Sequence, residues 1–352
     1  VPTTSIDYEK YRHYPLGYMF GTSSYTGGSV VTQYYSLDYL KNGVYTVVLG
    51  TISNYYIPAT LKTVNVTNST YIFSGAFSYI LSTSTTSTTL SESPLKITNI
   101  NLNEGIKNIG QYAFASINIY NTNDSYLTNS KYQYKYSVLE NINLPSTLTD
   151  IAYAAFYNCQ KLDSVEIPGS VTAIGNYGFY NCKKLYTNVG TGVVTVGDYS
   201  FANCTSLDNQ DFSSELTTIG AGAFSGCTAF TEINLPSNIT SIGNYAFSGC
   251  NKVTKIQIEE GLKTIGSYAF KDINKVTNLI IPTTVTSMGA GLFSGMSALE
   301  ELTIPFVGRD KNIYTTANVS YVDEAYYHYP LGYMFGTASY SGGVQVKQYI
   351  SK

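Results

Sequence analysis

A phenylalanine returns at a near-constant interval along most of the chain: Phe77, Phe114, Phe156, Phe179, Phe201, Phe224, Phe247, Phe270 and Phe293. The last seven are 22 or 23 residues apart, and most sit in a pattern close to A-F-x-x-C. Four positions before each of the last six stands a glycine preceded by Ile, Val or Met, as in Ile242 before Gly243 and Met288 before Gly289. Upstream come short alternating segments that end in proline, such as Ile233-Asn234-Leu235-Pro236. A unit this short cannot bury its own apolar stripe. It is stable only when neighbours stack and close one continuous core.

Each unit reads as follows. Period two in x-I-x-I-P makes a strand with one inward face. Proline ends it, having no N–H for the ladder. A second short extended piece follows, as at Ile239-Thr240-Ser241-Ile242. Gly243 is expected to allow a tight bend, and Tyr245-Ala246-Phe247 to open one helical turn that ends near Cys250. Stacked strands imply a rise of about 4.8 Å per unit. A right-handed β-helix is the rival, but it needs three extended segments per rung and the A-F-x-x-C turn reads as helical.

The string Ile239-Thr-Ser-Ile-Gly-Asn-Tyr-Ala-Phe-Ser-Gly-Cys250 resembles the signature of the BspA-type (Treponema-type) leucine-rich repeat, over roughly residues 61–305. The expected class is therefore a leucine-rich-repeat solenoid, a right-handed α/β-type coil. Each unit of about 23 residues carries one strand of a main parallel sheet, a second extended segment and one short helical turn. Residues 185–193 and 207–215 lack a clean I-x-I-P strand, so irregular coils are expected there. The resemblance implies a non-catalytic bacterial surface protein, associated with attachment and with host extracellular-matrix protein or glycan. A structural spacer or stalk is the alternative.

A longer repeat spans the ends. Residues 14–28 read YPLGYMFGTSSYTGG and residues 329–343 read YPLGYMFGTASYSGG, thirteen matches at a constant offset of 315. The chain is expected to hold one 315-residue unit and the start of the next. Three segments follow: an atypical Tyr/Gly-rich segment at 1–60, the repeat array at 61–305, and a segment at 306–352 that opens the next unit. The first two intervals of the array exceed 23 by 14 and 19 residues. The extra residues fall near 81–94 and 118–137.

Chemistry-bearing residues are few. The five cysteines (Cys159, Cys182, Cys204, Cys227 and Cys250) all lie three after the phenylalanine. That spacing fits no zinc motif, and it predicts a buried column of free thiols. Ile273 and Met296 fill the same position elsewhere. The two histidines occupy equivalent places in the two end motifs, so a Ser-His-Asp or Cys-His arrangement is not expected. No catalytic residue, cofactor or metal is assigned. Net charge is −3 with 12% charged residues, which gives no basic footprint for nucleic acid. No apolar run is long enough to insert in a membrane. A monomer at the bacterial cell surface is expected. Tyr112, Tyr177, Tyr199, Tyr245 and Tyr268 lie two before the phenylalanine and should pack at the core edge with exposed hydroxyls.

Inward positions of the first strand are apolar, so alternate positions face out. The candidate ligand face is Asn141, Asn143, Glu166, Asp211, Glu232, Asn234, Lys255, Gln257, Asn278 and Thr303. It is amide-rich, and amides offer both donors and acceptors to protein backbone or glycan hydroxyls.

Overall fold

A computed structural model of the chain describes residues 26–41, 44–80, 96–117, 137–307, 309–310, 330–336, 339 and 341. Residues 81–95 and 118–136, which hold nearly all of the two long inserts, and the first copy of the end motif up to residue 25 lie outside them.

The described chain opens with an antiparallel hairpin, β1 (Gly28–Lys41) and β2 (Val44–Pro58). The hairpin leads into stacked coils. The first strands of the coils are β3 (Thr63–Asn65), β6 (Asn99–Asn101), β9 (Asn141–Asn143), β14 (Glu232–Leu235), β16 (Lys255–Ile258), β18 (Asn278–Ile280) and β20 (Glu301–Thr303). Two-residue strands form the second ladder: β4 (Tyr71–Ile72), β7 (Asn108–Ile109), β10 (Asp150–Ile151), β11 (Ala173–Ile174), β12 (Thr195–Val196), β13 (Thr218–Ile219), β15 (Ser241–Ile242), β17 (Thr264–Ile265) and β19 (Ser287–Met288). One further pair, β5 (Tyr79–Ile80) with β8 (Ser116–Ile117), precedes the inserts.

The expected solenoid is present, with its longest ladder on the second segment. Those nine short strands make one unbroken parallel sheet. The first strands split into β3-β6-β9, β14-β16 and β18-β20. Between β9 and β14, only an isolated bridge from Ser164 to Tyr186 remains. The break covers the Val165-Glu166-Ile167-Pro168 coil, which keeps the alternating pattern, and the two coils that lack I-x-I-P. There Gln210 turns inward, 4% exposed, and its side chain replaces backbone pairing. Its Oε1 accepts from Val189 N–H at 2.7 Å, and its Nε2 donates to the Thr187 and Asp208 carbonyls.

The glycine before each phenylalanine serves a different purpose from the bend expected of it. Gly175, Gly197, Gly220, Gly243, Gly266 and Gly289 have ordinary backbone angles. A β-carbon at Gly220 would lie 2.6 Å from both Asp198 N and Gly197 C of the previous coil. The glycine column therefore lets successive backbones approach, and the N–H of Gly220 donates to the Val196 carbonyl at 2.8 Å. Close approach continues the ladder through every coil, including those whose first strand is lost.

The helical turn also resolves differently. Residues 152–159 form overlapping four-residue turns, with Ala155 N–H donating to Ala152 O, Tyr157 to Ala154 and Cys159 to Phe156. The intervening donors reach across: Ala154 to Asn176 O, Phe156 to Gly178 O and Asn158 to Tyr180 O. Half the N–H groups thus close local turns and half tie coils together, which an α-helix cannot do. Positive φ recurs two before and two after the phenylalanine. The later position holds Asn158, Asn181, Asn203, Gly226, Gly249, Asp272 and Gly295, residue types that tolerate the left-handed region. The earlier position holds five tyrosines with φ between 53° and 58°, which is unusual for a bulky side chain.

The core is a column of phenylalanines. Phe156, Phe179, Phe201, Phe224 and Phe247 are fully buried, and their rings stack nearly parallel at 4.9–5.5 Å. The cysteine column runs beside it, buried and free as expected. Each thiol donates to the carbonyl of the preceding coil's phenylalanine, for example Cys204 Sγ to Phe179 O at 3.0 Å and Cys227 Sγ to Phe201 O at 3.1 Å.

The last coil is closed by α1 (Pro330–Phe335), from the second copy of the end motif. Gly291 N–H donates to Tyr333 O at 2.6 Å and Phe293 N–H to Met334 O at 2.9 Å. In the coils before it, the equivalent donors Tyr245 and Phe247 reach the following coil's Ser267 and Ala269 carbonyls.

Candidate functional site

The outward row predicted from the first strands is brought together most tightly on β14 and β16. Glu232 pairs with Lys255 and Asn234 with Gln257 in parallel register. Asn234, Lys255 and Gln257 are exposed, and Glu232 is half-buried. Asn278 on β18 stands beside Glu301 on β20, and Thr303 beside Ile280, which is 65% exposed. Glu166 and Asp211 are exposed but lie outside any strand. Asn141 and Asn143 sit on β9, in the other piece of the sheet and across the interrupted coils from β14. The ten residues are therefore distributed over three sheet pieces and the gap between them.

Much of the row's hydrogen-bonding capacity is spent within the protein. Asn141 Nδ2 donates to Asn99 Oδ1 at 2.8 Å, and Asn101 Nδ2 to Asn65 Oδ1 at 2.7 Å. Asn143 accepts from Leu102 N–H and donates to Leu102 O. Asn209 Oδ1 accepts from the N–H groups of Thr231 and Glu232. On β16, Gln257 Nε2 donates to Glu259 at 2.8 Å. Lys255 is the one cation of the paired β14–β16 quartet, opposite one carboxylate. This arrangement can present a charged pair flanked by two amides to a polar ligand.

A concave feature lies over the nine-stranded sheet. It is a groove of about 670 Å³ whose lining includes Thr218, Ser241, Thr264 and Ser287, with Arg309 and Tyr333 at its C-terminal end. Its floor is open because the glycine column carries no side chains. Along one wall, side-chain oxygens satisfy the next coil's N–H groups: Asp198 Oδ1 accepts from Ala221 and Asn244 Oδ1 from Ser267, both at 2.7 Å. Beside that wall run the tyrosines. Tyr177 stacks on Tyr199 at 5.2 Å and Tyr245 on Tyr268 at 5.0 Å. Burial, and then the neighbouring phenols of Tyr153, Tyr199 and Tyr180 and the Asp198 carboxylate, push the Tyr177 phenol up to about 12.

Titration elsewhere follows the coil-to-coil contacts. Glu260 accepts from the backbone N–H of Thr283 and Thr284 and from the Thr283 hydroxyl, which lowers its carboxyl pKa. Among the described residues, no three His, Cys, Asp or Glu side chains gather closely enough to hold a metal ion. Among them too, no helix is long and apolar enough to cross a membrane.

Six copies of the BspA type leucine-rich repeat region match the sequence, in overlapping stretches at residues 50–130, 86–186, 127–240 and 194–318. The chain belongs to the BspA-type leucine-rich-repeat family. A leucine-rich repeat protein from Bacteroides ovatus aligns at 23% identity and a TM-score of 0.52, over 77% of this chain and 63% of that one. The T. pallidum leucine-rich repeat protein aligns at 28% identity and a TM-score of 0.36, over 48% of this chain and 72% of that one. A leucine rich cell surface protein from Faecalibacterium prausnitzii aligns at 20% identity and a TM-score of 0.27, covering 59% and 63% of the two chains. The chain thus spans under two-thirds of the Bacteroides protein, whose likeness supports the fold. No curated protein matches it.

Within this BspA-type array, sequence reasoning missed Gln210, the Glu260 clamp and the groove. Gln210 was findable. Asn209 and Asp211 as outward residues force the residue between them inward, where other coils carry an apolar side chain. The groove was not, because it depends on glycines that leave no side-chain signal.

Proposed function

We propose that this BspA-type array is a non-catalytic, extracellular module of a bacterial surface protein that binds a host matrix protein or glycan. The observation that carries the reading is the registered quartet Glu232, Lys255, Asn234 and Gln257 on paired strands. Paired strands hold a carboxylate, an ammonium and two amides at one strand spacing, a polar pattern suited to a polar ligand. Changing all four to alanine is expected to abolish retention on a matrix-protein or glycan array while the circular dichroism of the fold is kept. Undiminished retention would remove this face from consideration and leave the hydroxyl-lined groove as the surface to test.

A spacer that projects other domains is the second reading. It is favoured by the asparagine pairs on β3, β6 and β9, whose amides bond one another. A spacer binds nothing on the same array.

A further inference from the structure

One wall of the groove over the nine-stranded sheet has a gap in its hydrogen bonding. The residue after each column glycine reaches across to the coil that follows. Asn176 Oδ1 accepts from Asp198 N–H at 2.8 Å and Asp198 Oδ1 from Ala221 N–H at 2.7 Å. Asn244 Oδ1 accepts from Ser267 N–H at 2.7 Å and Ser267 Oγ from Ala290 N–H at 3.1 Å. Ala221 stands in the same row, one coil before Asn244, and has no side-chain oxygen to offer. Among the described residues, nothing accepts from the Asn244 N–H. Ala221, Gly243 and Asn244 all line the groove. The coils on either side show what the vacant place takes, an oxygen acceptor.

The floor repeats a second polar group. Thr218, Ser241, Thr264 and Ser287 occupy one register position on β13, β15, β17 and β19. Their hydroxyls therefore recur once per coil, at about 4.8 Å. Thr264 Oγ1 donates to Ser241 Oγ at 3.0 Å. A hydroxyl has one donor and two acceptor sites, so this row keeps capacity for a ligand.

Spacing and charge select the occupant. An extended peptide running across the coils repeats its like-facing groups at about 6.6–6.8 Å, out of step with the row. A flat β-linked hexose chain advances one pyranose ring per unit, a length close to one strand spacing, and each unit brings hydroxyls that donate and accept. The lining holds one carboxylate, Asp198, at one end and one guanidinium, Arg309, at the other, and Arg309 is paired with Asp310 at 3.4 Å. Between them the lining is neutral, so it favours neither a polyanion nor a polycation.

We infer that this groove binds an uncharged, unbranched β-linked hexose chain along the four hydroxyl-bearing strands, with a sugar oxygen on the Asn244 N–H in place of the side-chain oxygen that Ala221 lacks. The site shares no residue with the β14–β16 quartet, and the two stand or fall separately. A short polar chain in an open, hydrated groove is held weakly and is lost in washing, so solution titration reads it and array retention does not.

The test titrates β-1,4-linked glucose oligomers of two, four and six units into the nitrogen-15-labelled full chain. The Asn244 amide signal is expected to shift and its hydrogen exchange to slow. Affinity should rise from the dimer to the tetramer and little beyond. Ala221→Asn supplies the missing oxygen as Asp198 and Asn244 do. It should protect the Asn244 N–H without any sugar and weaken tetramer binding about tenfold. Ala221→Ser copies Ser267 and serves if the asparagine variant does not fold. The protein with all four quartet residues changed to alanine should bind the tetramer as the wild type does. A tetramer that leaves the Asn244 signal in place overturns the inference. So does undiminished tetramer affinity in a folded variant whose Asn244 N–H is protected, or loss of tetramer binding in the quartet variant. An extended Ser-Gly peptide that shifts the Asn244 signal as strongly as the tetramer overturns the assignment to sugar.

Discussion

The ring of Tyr199 lies in the space that a β-carbon on Gly222 would occupy. Tyr268 stands in the same relation to Gly291 three coils further along. Both glycines hold positive φ, 59° and 61°. Each tyrosine leans toward the following coil, and where that coil carries glycine the ring lies over bare backbone. Gly222→Ala therefore combines left-handed strain with a collision and should cost about 2–3 kcal/mol. Gly249→Ala provides the control. Its φ is 79°, but the nearest atoms lie 3.8 Å from the added carbon. It should cost about 1 kcal/mol, the backbone share alone. Equal losses in urea unfolding would show that Tyr199 moves aside freely.

Phe224 is the centre of the core column, stacked at 5.5 Å on Phe201 and 5.4 Å on Phe247 and touched edge-on by Phe212 and Phe230. Truncation to alanine leaves a cavity that neighbouring coils cannot collapse into, because their spacing is fixed by the ladders on either side. The expected loss is about 3–5 kcal/mol. Calorimetry or urea titration measures it, and a loss below about 1 kcal/mol would contradict the packing described.

The thiol column gives a pH prediction. Burial pushes the Cys250 thiol up to about 12, against a lesser opposing effect of a hydrogen bond. Burial also raises Cys182 and Cys227. The neutral form is the one the fold holds. Its contribution is complete below the thiol's ordinary range near 8.5 and is lost as pH rises toward 12. Tyr177, also raised to about 12, acts in the same direction above the ordinary phenol range. Stability should therefore fall between about pH 9 and 12. A thiol reagent should label none of the five cysteines in the native protein at neutral pH and all of them in denaturant.

These features differed in how far the sequence exposed them. The phenylalanine and cysteine columns follow from period alone, since any residue repeated every coil must stack on itself. The tyrosine column was readable as a position but not as a conformation. Nothing in a tyrosine codes for the left-handed region, and only the inter-coil bond from Tyr177 N–H to Asp198 O explains why the backbone adopts it. The longest ladder falls on the second segment, because alternation advertises the first strand strongly, while the second segment is two residues of ladder beside a glycine whose recurrence reads equally well as a bend. Of the ten outward positions, eight lie on first strands, while Glu166 and Asp211 lie on none. How the row's amides pair across coils needed the register.

Gln210 joins coils where the first strand is missing, and its role can be separated from simple packing. Gln210→Ala removes the acceptor for Val189 N–H and the donor to Thr187 O, leaving both in a buried site. Unmet buried groups should destabilise by about 1–3 kcal/mol. Gln210→Leu restores the volume without the hydrogen bonds and should recover little of the loss, whereas Gln210→Glu at low pH, when its carboxyl can be protonated, keeps an acceptor and should recover part. Native-state hydrogen exchange reads the site directly: Val189 N–H should be protected in the wild type and exchange faster in both Gln210→Ala and Gln210→Leu. Full recovery by leucine would mean that Gln210 only fills space, and that the interruption between β9 and β14 is bridged by packing rather than by its amide.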